Sequence, residues 1–172
     1  MAKLKNVKVN LTLPFIGSVE GTWEPHENER NAAWDLYVEL ITRISVVELK
    51  PDEGLLREAL SSMYSLFSTT REILKKYGAS VARSKGESSI SFGYLAVAIL
   101  NTVLRPVLAK WHPLLLDYEI KRGKNTSATE HERNWERCEE LRQVLNDVRH
   151  ILIEYADLLA QVSDVPLLII DH

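Results

Sequence analysis

Arg105 and His112 stand with six residues between them, one guanidinium and one imidazole two helical turns apart. An imidazole moves protons near neutral pH and a guanidinium stabilises phosphate charge, so this pair has the parts for proton transfer beside a phosphate. The structural reading of the same pair is simpler, and we expect it: Arg105 neutralises a carboxylate or caps a kinked turn, and His112 ends a helix. A second group is Asn101, set in an apolar stretch where a buried amide must find partners. It either fixes register as a polar core residue or forms one wall of a ligand pocket with Arg43, Arg71 and Arg105. Asp147-Val-Arg-His150 comes nearest to a metal-ligating motif. It stands alone, and its Asp and His fall off the core seam, so no metal is expected. Cys138 lies mid-helix, where a single cysteine packs. There is no Gly-x-Ser-x-Gly and no glycine-rich phosphate loop, and no cofactor is expected.

The segment that carries Asn101, Arg105 and His112 organises the chain. Fourteen of the 21 residues in Ser91–Trp111 are apolar and cover nearly every helical face, which predicts a helix buried by its neighbours. Pro106 removes a backbone hydrogen bond, so a kink or break is expected near Thr102–Arg105, and Pro113 ends or bends the helix again. Its longest unbroken apolar run, Tyr94–Leu100, is far short of the roughly 20 residues of a membrane span, and no span is expected.

Before it, residues 4–13 alternate. Val7, Val9, Leu11 and Leu13 share one face, which predicts a half-buried strand. Pro14–Gly17 reads as a turn and Ser18–Trp23 as a second strand. Helix 1 is expected over 25–48, with Pro25 and two glutamates in its first turn and a seam of Ala33, Tyr37, Leu40, Ile44 and Val47 widened by Trp34. Asp52 is the expected N-cap of helix 2 over 53–77, whose seam includes Leu56, Leu60, Met63, Phe67 and Leu74. Gly78 stops it. Residues 79–90 read as a mobile polar linker. Ser127-Ala-Thr-Glu130 is a capping box that opens a last helix running to about Val162, with Leu141, Leu145, Val148, Leu152, Tyr155, Leu159 and Val162 as a heptad seam. Val165–Ile170 is a candidate third strand.

These elements predict a mainly α fold: one domain over 1–172, an antiparallel four-helix bundle over 25–162, a hairpin appendage over 1–23 and a tail over 163–172. Trp23, Trp34, Trp111 and Trp135 are expected to pack in the core or at its ends. Apolar residues are 45% of the chain, charged residues 26%, and the net charge is −3, so neither DNA nor anionic membrane is drawn in bulk. One cysteine and no signal-like N-terminus fit the cytoplasm.

Two resemblances add to this. The Arg105…His112 spacing resembles the Arg-x4–6-His motif of HEPN ribonucleases, also helical bundles, in which that pair cleaves RNA at a dimer interface. Pro106 and Pro113 depart from the usual context of that motif. The blocks Gly21-Thr-Trp-Glu-Pro, Ala32-Ala-Trp-Asp-Leu-Tyr-Val-Glu-Leu, Ser65-Leu-Phe-Ser-Thr-Thr-Arg-Glu-Ile-Leu and Leu104-Arg-Pro-Val-Leu-Ala-Lys-Trp-His-Pro resemble a family of small bacterial helical proteins over most of the chain. That resemblance implies an accessory role in bacterial conflict or phage-defence systems. Together the readings lead to a non-enzymatic binding or adaptor protein that acts through a protein partner or small ligand. A HEPN-like ribonuclease is the alternative, with RNA its substrate, and a membrane-acting effector is third. A hairpin of two strands does not hold itself together, so self-association or a protein partner is expected there.

Overall fold

The structure, a computed structural model, describes residues 6–13, 17–43, 46–83, 86 and 89–168. Its elements are β1 (Val7–Leu13), β2 (Gly17–Trp23), α1 (Glu27–Ile41), α2 (Leu56–Tyr77), a 3₁₀ turn (Ala79–Ala82), α3 (Phe92–Ala98), a π-helical segment (Ile99–Leu104), α4 (Arg105–Glu119), α5 (Ala128–Arg133) and α6 (Cys138–Ser163). The protein is mainly helical, with an antiparallel two-stranded hairpin at its N-terminal end.

The hairpin follows from its alternation. Val7, Val9, Leu11 and Leu13 are buried while Lys8, Asn10 and Thr12 are exposed, and the register runs from Val7 opposite Trp23 to Leu13 opposite Gly17. Its apolar face lies against α6 and the π segment, so the chain itself covers it. The tail does not extend this sheet: residues 165–168 form no strand, and 169–170 lie outside the described residues. Instead Ser89 bridges to Thr22, and the Ile90 N–H donates to the Thr22 carbonyl at 2.9 Å.

The expected polar linker is partly packed. Val81 and Ile90 are buried, and the 3₁₀ turn presses so closely on α3 that a Cβ at Gly93 would sit 2.8 Å from Ala82 Cβ. Only glycine fits that crossing. Ser91 caps α3 by accepting the Tyr94 N–H at 3.1 Å.

Helix ends depart from expectation where side chains from distant elements intervene. α1 stops at Ile41, with the Thr42 hydroxyl donating to the Val38 carbonyl at 2.7 Å. Val47 is exposed rather than part of the seam, Trp34 is exposed rather than core, and Ile44 lies outside the described residues. Asp52 does not cap α2; it pairs with Arg133 at 3.1 Å. The Leu56 N–H is capped at 2.9 Å by the carboxylate of Glu132, 76 residues away on α5. The last helix is not continuous from the capping box: residues 134–137 break it into α5 and α6. At that break Trp135 turns inward to meet Trp111 edge-to-face, ring centroids 6.1 Å apart, and to stack on Tyr118. α6 then runs 26 residues, about 39 Å at 1.5 Å per residue. Every member of its predicted seam is buried. Asp164 ends it in the left-handed conformation at φ 58°, and Arg30 donates to the Val162 carbonyl at 2.8 Å, a cation at the negative end of the helix dipole.

Glu29 is the other long-range cap. Buried at 2% exposure, it accepts the Trp23 indole N–H at 3.1 Å, the His26 N–H at 3.1 Å and the Phe92 N–H at 3.0 Å. One carboxylate thus ties β2, the start of α1 and the start of α3. A buried charge is tolerable with its lone pairs filled in this way.

Candidate functional site

The irregularity expected around Pro106 takes the form of the π segment, not a break. Proline has no N–H and its ring crowds the carbonyl one turn back. A wide turn accommodates the proline and lets the helix continue through α4. The Thr102 hydroxyl holds this turn by donating to the Ala98 carbonyl at 2.6 Å. The expectation of a helix buried all round is corrected. Leu95, Ile99, Val103, Leu104, Leu108, Trp111 and Leu115 face the core, whereas Tyr94, Val97, Asn101, Arg105 and Leu116 are exposed.

That exposed side borders a groove of about 520 Å³ between α2 and the α3–α4 helix. Phe67, Leu74, Leu100 and Leu108 supply its apolar lining, with Tyr64, Val97 and Ala109 also on its walls. The polar groups are Arg71, Asn101, Arg105 and His112. Three of the four residues proposed from sequence as a ligand wall therefore converge, and they share the groove with the histidine of the ribonuclease motif. The fourth, Arg43, does not join them. It donates to Glu39 at 2.8 Å, to Thr69 at 3.0 Å and to the Ser65 hydroxyl, clamping the end of α1 to the neighbouring side of α2.

Asn101 is not the buried amide expected. It is exposed, and its Oδ1 accepts the Arg105 Nε–H at 3.1 Å. It lies within the widened turn, on the outward side. Arg105 neutralises no carboxylate among the described residues; it lies over the Phe67 ring, 4.9 Å from the centroid. Arg71 donates through Nε to the Phe67 carbonyl at 3.1 Å.

His112 is held by groups the sequence did not single out. Arg57 donates to its Nδ1 and, at 3.4 Å, to its backbone carbonyl, while Arg57 Nε reaches Glu119 at 2.8 Å. A guanidinium only donates, so Nδ1 is an acceptor and the ring proton sits on Nε2. Burial and then the Arg57 charge push the His112 pKa below its usual value, and Glu119 partly offsets them. Tyr64 meets the ring edge-on, centroids 5.9 Å apart. Arg57 and Glu119 are 62 residues apart, so no local spacing could reveal the link. Phe67 and Leu74 were visible as seam residues, but nothing in the sequence showed that this flank of the seam stays uncovered.

The remaining sequence candidates have structural surroundings. Asp147 accepts from Gln143 at 2.9 Å on an exposed face, and His150 is exposed beside Asn146. Cys138 is buried at the start of α6. Among the described residues no three His, Cys, Asp or Glu side chains gather as a metal site. His131 is stacked on Tyr118 at 4.0 Å, its Nε2 bonded to the Tyr118 carbonyl, so its ring is occupied.

Comparison with known proteins finds no match for this chain, whether among family models, curated proteins or solved structures.

Proposed function

We propose that the protein is a non-enzymatic binding module and that the groove between α2 and the α3–α4 helix is where it binds. The observation that carries this reading is the convergence of an apolar lining with Arg71, Asn101, Arg105 and His112 around about 520 Å³, a volume within the roughly 300–1,000 Å³ of small-molecule sites. The scaffold is read as an antiparallel four-helix bundle, supported by the packing of α1 on both α2 and α6 and of α4 on α2. An accessory role in bacterial conflict or defence, in the cytoplasm, rests on the sequence blocks and the single cysteine. The test uses Ala109→Trp, which fills the groove from an exposed position. Ligand-observed NMR on a chemically mixed fragment set is expected to give hits on the wild type that vanish in this variant. A set with no such hits removes the reading.

A HEPN-like ribonuclease is the second reading, favoured by the presence of Arg105 and His112 in one groove. It predicts RNA cleavage by the purified protein that His112→Ala abolishes. The third, a membrane-acting effector, draws on Phe92–Glu119, which is long and apolar enough by length and composition to cross a bilayer; half of its most apolar stretch is buried inside the fold. Assembly through the hairpin keeps one supporting feature, the outer edge of β1, which pairs with no strand among the described residues. Light scattering before and after deletion of residues 1–18 tests that route.

A further inference from the structure

Resting on the groove reading above, we infer that the occupant is a free, soluble amphiphile with an alkyl or aryl body and a single acidic head. Charge comes first. The groove is lined by two arginines and a histidine and by no aspartate or glutamate. Arg71 spends Nε on the Phe67 carbonyl and Arg105 spends Nε on Asn101, and neither guanidinium has a carboxylate partner among the described residues. Their terminal N–H groups are donors in search of an anion, with the fork geometry that suits carboxylate, sulfonate or phosphate oxygens. Because Arg57 occupies Nδ1, His112 also offers a donor, Nε2–H, rather than an acceptor. A cationic head is repelled by these groups, and a neutral head accepts a hydrogen bond from them without balancing their charge.

The body of the ligand follows from the lining. Phe67, Leu74, Leu100 and Leu108 give it an apolar surface, and Arg105 lies across the Phe67 ring, which puts charge beside that surface rather than remote from it. Size favours a small molecule over a partner helix: about 520 Å³ holds a medium-length chain or a fused ring pair. A second copy of this chain is a poor occupant. Groove-to-groove contact about a two-fold axis brings one copy's Arg71, Arg105 and His112 toward the same cationic set of the other, and like charges brought together at an interface are repelled.

The experiment is isothermal titration calorimetry of the full chain with monomeric dodecanoate, dodecanol and dodecyltrimethylammonium, the two ionic amphiphiles kept below their micelle concentrations and dodecanol below its solubility limit. Dodecanoate is expected to bind at one site, dodecanol at least tenfold more weakly, and the cationic amphiphile not measurably. Arg71→Gln with Arg105→Gln is expected to weaken dodecanoate at least tenfold and leave dodecanol unchanged, with circular dichroism confirming that the double variant is folded. Ala109→Trp is expected to abolish binding of both dodecanoate and dodecanol. If the three amphiphiles bind equally and Ala109→Trp removes them, the acidic-head inference is overturned while the groove remains a binding site. If no amphiphile binds in a way Ala109→Trp changes, the amphiphile inference is overturned, and the groove reading stands or falls on the fragment set. A vesicle arm, phosphatidylglycerol with phosphatidylcholine, separates the source of the anion: vesicle binding without binding of monomeric dodecanoate overturns the free ligand in favour of a membrane surface. The wild-type comparison of the three head groups decides the matter even if the double variant fails to fold.

Discussion

Along α6, Leu141, Leu145, Val148, Leu152, Tyr155, Leu159 and Val162 repeat at three- and four-residue steps, and all are buried. Along Phe92–Glu119 the apolar residues are as dense, yet Tyr94 is 58% exposed, Val97 42% and Leu116 55%. The difference lies in how many faces each helix makes apolar. α6 carries charged residues opposite its seam, so only one orientation satisfies it. The Phe92–Glu119 helix is apolar on several faces and the core needs only one of them. The wide π turn rephases the helix so that Leu95 before it, Ile99 at its start and Leu108 and Trp111 after it meet the same core. Part of the surplus face, at Val97 and Ala109, borders the α2 groove. Apolar surface left uncovered beside unpaired cations points to recognition, whereas a covered stripe points to stability.

The comparison breaks first, and most visibly, at α6. Leu152→Ala empties a fully buried position and is expected to cost about 2–5 kcal/mol in urea unfolding. A loss below ~1 kcal/mol would make the α6 seam no more structural than the groove stripe. Next in size is Glu29→Ala, which orphans the buried Trp23 indole N–H and the Phe92 N–H; a loss of roughly 1–3 kcal/mol is expected. A near-neutral result would mean that packing alone holds the hairpin to α3.

Two groups with shifted pKa values, His112 and Glu132, sharpen the comparison through pH. The His112 pKa is depressed by burial and by Arg57, so the folded state binds fewer protons than the unfolded chain just below the ordinary imidazole value of 6.5. Its contribution is complete above that value and is lost as pH falls through the depressed folded pKa. His112→Gln should flatten this loss on the acid side. Glu132 has the opposite sign. Burial raises its pKa above the ordinary 4.5, so its contribution is present at low pH and is lost as pH rises through the raised folded value. Glu132→Gln, whose amide oxygen can still accept the Leu56 N–H, should remove that loss. Melting temperature against pH for both variants checks the signs; identical slopes would refute the assignment.

The smallest effect belongs to the groove. Val97→Ser is expected to change stability by no more than about 0.5 kcal/mol, because no buried partner is lost. A loss several times larger would show the stripe to be structural and would weaken the proposed binding role.

Much of this fold could be read from local pattern. Alternation at Val7, Val9, Leu11 and Leu13 marked β1, the heptad from Leu141 to Val162 marked α6, Gly78 marked the end of α2, and Pro106 marked an irregular turn. These signals are legible because each arises from neighbours one or two turns away: side-chain period, a missing N–H, a residue free to adopt positive φ. Tertiary structure alone decided which caps operate, since Glu29 and Glu132 act on helices 63 and 76 residues away while the local candidate Asp52 pairs elsewhere. It also decided that Arg43 leaves the ligand wall and that Asn101 turns outward. It linked Arg57 to His112, and it left one flank of the most apolar helix uncovered. Each of these depends on which surfaces meet when the chain closes, and periodicity along a single helix carries no record of that.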